Sequence, residues 1–294
     1  MDGMGGFATA LGEITLVLFT TLAPSGAIAL ALMGLPIVAG RASEDERRRI
    51  DKFVSVPLVV SMVGLVASAT HLGNPANALY VFVGVGRSPL STEVFCAVVF
   101  LALAGVYWLY SFAERPRRGL QRGWMAALIV ASGAFVTSVA FAYAADTIVS
   151  WDTWHVPANL WLNALVGGPL LALLGLRLAR FAPADSLFGR VLVGMAVVAL
   201  ALNVGGYVLQ GADLPGLRNA FVSAAGLVPS FGVLVAVFGV CGVLGIGLDG
   251  WALFVKRRPL SVVRASVACV FAFAGIFAMR FAFYMMHLTV GLGV

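Results

Sequence analysis

ITLVLFTTLAPSGAIALALMGLPIVAG, residues 14–40, contains no charged side chain, and RASEDERRRIDK, residues 41–52, follows it with five Lys and Arg. A run of 27 apolar and small residues is longer than the ~20 that a bilayer crossing needs, and it ends in a burst of positive charge. The rest of the sequence repeats that pattern. Apolar runs fall at about 14–40, 52–71, 91–112, 123–146, 158–181, 187–210, 229–254 and 261–288. Their lack of periodicity suits either buried strand or buried helix, but their length selects helix.

Composition agrees. Of 294 residues, 61% are hydrophobic and 11% charged, and mean hydropathy is +0.99. A water-facing domain is about a quarter charged, so this protein lacks the polar skin to cover one. The reading is an all-α polytopic membrane protein of about eight transmembrane helices, forming a single membrane domain over 1–294. The net charge of +6 is dispersed in short loops rather than gathered in a patch, which argues against nucleic acid.

The basic residues also set orientation. Arg41, Arg47, Arg48, Arg49 and Lys52 lie in the first loop, and Arg115, Arg117, Arg118 and Arg122 in the third. Arg177, Arg180 and Arg190 flank the fifth, and Lys256, Arg257, Arg258 and Arg264 the seventh. The even loops hold only Arg87 and Arg218. The odd loops are therefore expected in the cytoplasm, with both termini outside. The N-terminus carries Asp2 and Glu13 without Lys or Arg, so no cleavable signal peptide is expected. Trp151, Trp154 and Trp161 bracket the fourth loop, as interfacial tryptophans do. Gly232 and Gly239 share a face at heptad spacing, where small residues let helices approach. HLGNPANALYVFV and LQGADLPGLRNAFV, with Gly73 and Gly211 about half the sequence apart, echo each other. That echo suggests two parallel four-helix bundles, halves 1–146 and 147–294.

Polar residues inside apolar runs carry the functional signal. They gather toward the outer side: Ser61, Gly64, Ser68 and His71; Asn203, Tyr207 and Gln210; Arg280, Tyr284 and His287; Glu93; Asn159 and Asn163. Arg280 lies ~10 Å deeper than His287 at 1.5 Å per residue, and needs an acceptor, for which Glu93 is a candidate. Each also has a plain structural reading. Glu93 would complement a helix N-terminus, His71 would cap a helix, Arg280 would snorkel or join helices, and the Asn, Tyr and Gln would bond between helices. His155, beside two tryptophans, reads as structural. Cys96, Cys241 and Cys269 are single and lie in apolar runs, so this protein alone is not expected to hold an iron–sulfur cluster. His71 and His287 sit at helix ends, so no haem is expected. A shallow polar site open to lipid suits a quinol, whose hydroxyl proton a histidine can accept.

The ordered set EITLVLFTTL (13–22), ASATHLGNP (67–75), RSPLSTEVF (87–95), VGGPLLALL (166–174), LQGADL (209–214), AGLVPSFG (225–232) and MRFAFYMMHLTVG (279–291) resembles the membrane anchor subunits of the dimethyl sulfoxide reductase family, DmsC type. More distantly it resembles NrfD/PsrC-like anchors. The resemblance implies a haem-free, eight-helix anchor in the cytoplasmic membrane of a prokaryote. It implies two partners, a four-cluster iron–sulfur electron-transfer subunit and a molybdopterin catalytic subunit, with those cofactors held only in the partners. It implies oxidation of menaquinol as substrate, in anaerobic electron transport. His71 and Glu93 fall on the family's functional histidine and carboxylate, and Arg280, Tyr284 and His287 complete the expected quinol-binding set. Two rivals stand beside this reading: a secondary transporter, and a purely structural anchor without a quinol site. The first-loop run RASEDERRRIDK reads as a solvated charge run without a role.

Overall fold

The computed structural model describes residues 2–71, 75–114, 116–219, 221–255 and 261–289. Every long element among them is helical: α1 (Asp2–Gly12), α2 (Ile14–Val38), α3 (Glu44–Phe53), α4 (Ser55–Ala69), α5 (Pro89–Tyr110), α6 (Arg118–Ala142), α7 (His155–Leu178), α8 (Leu187–Asp213), α9 (Ala224–Leu227), α10 (Phe231–Gly250) and α11 (Val262–Met285). A 3-10 segment, Pro75–Gly84, precedes α5, and a π-helical turn, Trp251–Val255, extends α10. Eight helices are long and apolar enough to cross a bilayer, with α3 and α4 forming one crossing and α10 with its π turn another. The protein is an all-α polytopic membrane protein. HLGNP residues 72–74, with the Gly73 of the proposed echo, and Arg115, Lys256, Arg257 and Arg258 lie outside the described residues.

Two helices form the centre. In α2 and α7, 78% of the most apolar window is buried, against 33–44% in the other six crossings. α2 is apolar or small all round and α7 is so but for a polar face toward α8, which suits helices enclosed by helices. They pack on each other, and the remaining crossings surround them: α4 and α6 on α2, α8 and α11 on α7, with α5 against α6 and α10 against α11. The outer crossings keep large aliphatic side chains such as Val66, Val130, Val243 and Val270 exposed, as lipid-facing surfaces require.

Close approach rests on glycines other than the pair at 232 and 239. A Cβ on Gly64 of α4 would lie 3.0 Å from the Ala23 backbone nitrogen, and one on Gly168 of α7 would lie 2.6 Å from Ile28 Cγ2. These positions bring α4 and α7 onto α2. Gly232 has nothing within 4 Å, and Gly239 only Val204 at 3.8 Å, so these two line an open surface groove instead.

The charge run after α2 departs from the expected solvated loop. It folds as α3, closed by a reciprocal cap in which Glu46 N–H donates to Ser43 Oγ and Ser43 N–H donates to Glu46 Oε2 at 3.0 Å. Arg47 and Asp51 are buried in it. The helix is strongly one-sided, so its inward charges are covered by the bundle while Arg48 stays exposed.

The crossings alternate between two ends. The terminal end holds the start of α2, the end of α4, the start of α5 and the finish of α11; the basic end holds α3 and the first turns of α6 and α8. At the terminal end, Ile148 bridges Thr289, and Val149 N–H donates to Leu288 O at 2.9 Å.

Candidate functional site at the terminal end

Arg280 is the deepest charge at the terminal end and is 2% exposed. It sits inside the bundle, well before the finish of α11, and α2 supplies its first partner. Its Nε donates to Thr20 Oγ1 at 2.9 Å, and Thr20 donates its own hydroxyl proton to Leu16 O. The guanidinium lies over the Phe283 ring at 4.1 Å and within 5.7 Å of the Tyr143 and Tyr284 rings. A cation on aromatic faces is held without a counter-ion, though weakly. Nη2 has no hydrogen-bond partner among the described residues.

Aromatic packing fixes this cage. Trp151 stacks on Phe283 at 4.4 Å and donates its indole N–H to Phe283 O at 3.2 Å. It is buried, whereas Trp154 is exposed. The Ser150 hydroxyl donates to Met286 O, closing the loop after α6 over the end of α11. That closure carries Tyr143 to the Tyr284 ring, 6.0 Å away edge-on.

Glu93 enters from α5. Ser88 caps that helix and Pro89 occupies its first position, so Glu93 falls in the second turn rather than the first. There the helix dipole offers less than at the terminus. Its carboxyl is 5% exposed, and Oε2 has no hydrogen-bond partner among the described residues. The expected ion pair with Arg280 does not form: Arg280 is committed to Thr20 and to the aromatic faces. Tyr143 and Tyr284 both flank the Arg280 guanidinium.

His71 closes α4 at the surface, half-exposed, with its Nε2 3.2 Å from Glu13 Oε2. The rest of its polar stripe faces inward: Ser61 donates to Ala23 O at 3.3 Å and Gly64 meets α2. His287, on the turn after α11, lies 5.1 Å from the Trp151 ring. Burial pushes its imidazole below the ordinary range, and the Glu13 carboxylate draws it partly back. Glu13 thus stands by both histidines.

A second polar group lies between α7 and α8. Asn159 Nδ2 donates to Gln210 Oε1 at 2.9 Å, Asn163 Nδ2 to Tyr207 Oη at 2.8 Å, and Asn203 Nδ2 to Asn163 Oδ1 at 2.7 Å. These are interhelical bonds of the plain structural kind. His155 is 1% exposed and pairs with Asp213 at 2.9 Å. A cavity with room for about one water separates this ladder from Arg280.

The structure therefore gathers Arg280, Tyr284 and Tyr143 in one cage and sets Glu13 beside His71. It places no direct contact between His71 and Glu93. Reading the sequence missed Tyr143 and Glu13 as site residues. Tyr143 lies at the end of an apolar run and Glu13 just before one, so neither falls on a helical face that pattern could flag. Among the described residues, no three His, Cys, Asp or Glu side chains gather as a metal site.

Comparison with known proteins gives the same class throughout. The profile of the family described as "DMSO reductase anchor subunit (DmsC)" matches residues 7–286. The C subunit of the anaerobic dimethyl sulfoxide reductase of Escherichia coli (strain K12) is 30% identical over 284 residues, which is 96% of this protein and 97% of that one. The YnfH subunit, also named as an anaerobic dimethyl sulfoxide reductase component of that strain, is 29% identical over 283 residues, with the same coverage. The corresponding C subunit of Haemophilus influenzae (strain ATCC 51907 / DSM 11121 / KW20 / Rd) is 27% identical over 288 residues, which is 97% of this protein and 99% of its own length. An eight-crossing helical bundle matched end to end by such anchors belongs to the DMSO reductase anchor subunit (DmsC) family.

Proposed function

We propose that this protein is the membrane anchor of a molybdopterin oxidoreductase complex and that its terminal end oxidises menaquinol. Electrons leave to a partner four-cluster iron–sulfur subunit docked on that end, and from there reach the molybdopterin subunit. The anchor sits in the cytoplasmic membrane with both termini outside. The observation that carries this reading is Glu93: a carboxylate side chain buried in the bundle, its Oε2 without a hydrogen-bond partner among the described residues, at the same end as the buried Arg280 and Tyr284. A group of that kind within a crossing costs stability and is kept for chemistry.

The quinol head would enter between α4 and α5. These two pack sparsely on each other while each packs extensively on its other neighbour, which suits entry from lipid between them. The single-water cavity beside Arg280 is too small for the ring. His71 and Glu93 would accept the hydroxyl protons, one from each side of the head. Arg280, fixed on Thr20 and Phe283, would hold the Tyr143–Tyr284 pair in place and supply the positive field that favours a deprotonating hydroxyl. His71→Ala in the assembled complex should abolish quinol-driven reduction while the complex still forms; full quinol turnover would contradict the reading.

One observation favours the transporter rival. Asp249, at the basic end of α10, is fully buried, and both its carboxylate oxygens lack hydrogen-bond partners among the described residues. Substrate uptake by the isolated protein in vesicles would support that rival. Failure to bind any quinone analogue would support the purely structural anchor.

A further inference from the structure

Glu13 is the residue that the proposed reaction leaves unexplained. It stands at the break between α1 and α2, with φ −98° and ψ 19°. Its side chain makes no cap to α2, so it is available for another use. Its Oε2 is buried and lies 3.2 Å from His71 Nε2 without the alignment of a hydrogen bond, so a small turn of either side chain would complete the contact, while about a third of the side chain meets solvent. One carboxylate oxygen thus stands beside the histidine and the group as a whole reaches water.

The position is held firmly. α1 packs along α11, with Phe7 edge-on to Phe281 at 5.3 Å. A Cβ on Gly6 would lie 3.0 Å from Met285 O, so glycine lets the two backbones approach there. The Glu13 carboxylate raises the His287 imidazole slightly against the larger lowering by burial. A half-exposed Glu–His pair contributes little as a clamp, and the packing of α1 already fixes this junction without it. The pair is therefore better explained by what it can pass on than by what it holds.

We infer that Glu13 is the proton outlet of the site, taking from His71 the proton that His71 removes from the quinol and releasing it to water at the terminal end. This rests on the quinol reading above. The quinol O–H bond breaks and its proton forms an N–H bond on the His71 ring. The Nε2–H bond breaks and an O–H bond forms on Glu13 Oε2. Glu13 then loses that proton to water, and His71 is again neutral. The quinol's second O–H bond breaks with its proton taken by Glu93, the two electrons go to the partner's iron–sulfur centres, one-electron acceptors, and the product is the quinone. Glu13 acts through His71 and touches no substrate; it is a relay and positioning residue.

The test uses the assembled complex in membranes, with a soluble menaquinol analogue as donor and, separately, a viologen dye that feeds the partner subunits directly. In Glu13→Gln, kcat with the quinol should fall at least about tenfold. KM should stay within about twofold, and the viologen rate should not change. Formate added as a small external acid–base pair should restore part of the lost kcat, and Glu13→Asp should retain most of it. An unchanged kcat, or a loss that neither formate nor Glu13→Asp relieves, overturns the relay. If Glu13→Gln does not assemble, Glu13→Asp decides by its solvent deuterium isotope effect: a rise above wild type supports the relay and no change overturns it. A wild-type complex without quinol turnover would overturn the parent reading itself, which is a separate result.

Discussion

The two ends of the bundle treat buried charge in opposite ways. At the basic end each inward charge of α3 has a partner from another part of the protein or its own helix. Arg47 donates to Gln121 at 2.6 Å and pairs with Glu44 at 2.5 Å, Glu44 also pairs with Arg118 at 2.7 Å, and Tyr107 donates to Asp51 at 2.5 Å. Arg49 Nε donates to Ala179 O, next to Arg180, which takes the left-handed φ of 51° just after α7. These links tie α3 to α5, α6 and α7 and make that end a clamp. At the terminal end Glu93 and Arg280 are as deeply buried but lack an ionic partner among the described residues. Paired burial builds structure; unpaired burial keeps groups available for a substrate. Two residues depart from this contrast: Asp249, a carboxylate at the clamped end without a partner among the described residues, and the buried His155, which is paired with Asp213 at the terminal end.

The sharpest way to break that contrast is to neutralise one group at each end. Glu93→Gln should lower quinol-driven turnover by about 100-fold with the fold intact, because it removes a proton acceptor and no structural bond. Thermal unfolding of the purified complex should show no loss of stability. Asp51→Ala should do the reverse. It strands the buried Tyr107 hydroxyl and should cost roughly 2 kcal/mol, read as a lower unfolding midpoint, while turnover per assembled complex is kept. A drop in stability for Glu93→Gln, or in turnover for Asp51→Ala, would erase the distinction between the ends.

Asp249→Asn sharpens the exception. If Asp249 is merely an unpaired charge, the variant should gain roughly 1 kcal/mol of stability with quinol turnover unchanged. A loss of turnover would give the basic end a role in the chemistry. The smallest effect belongs to His287. Its folded imidazole titrates below the ordinary 6.5, so the unfolded protein binds the proton more readily. Stability is therefore full above about pH 6.5 and declines as pH falls through the lower, folded value. His287→Gln should flatten that decline slightly in unfolding midpoints measured between neutral and mildly acid pH.

Most of the fold was legible in the sequence because a bilayer demands length and apolarity, and those are written residue by residue. The eight runs became eight crossings, displaced by a few residues at their ends. α3 was not foreseen, since RASEDERRRIDK is polar enough to read as solvated; its Ser43-to-Glu46 capping spacing was the available signal. Of the site, Glu93, Arg280, Tyr284 and His287 were recognisable as polar residues within or beside apolar runs, and His71 as the end of a stripe. Their partners were not. Tyr143 reaches the site only because Ser150 and Trp151 fold the following loop back onto α11, and Glu13 only because α1 is bound to α11 by Phe7 and Gly6. Such contacts join positions more than a hundred residues apart, and hydrophobic pattern records nothing of them. The proposed pairing of halves 1–146 and 147–294 is of the same kind.

Where the quinol binds is the central matter, and photolabelling addresses it directly. An azido-menaquinone analogue, activated in membranes holding the assembled complex and mapped by mass spectrometry, should mark the end of α4 near His71 and the first two turns of α5 near Glu93. Excess unlabelled menaquinol should suppress the adducts. Adducts confined to the basic end around Asp249, or the same labelling in Glu93→Gln and His71→Ala complexes as in wild type, would contradict a quinol site at the terminal end.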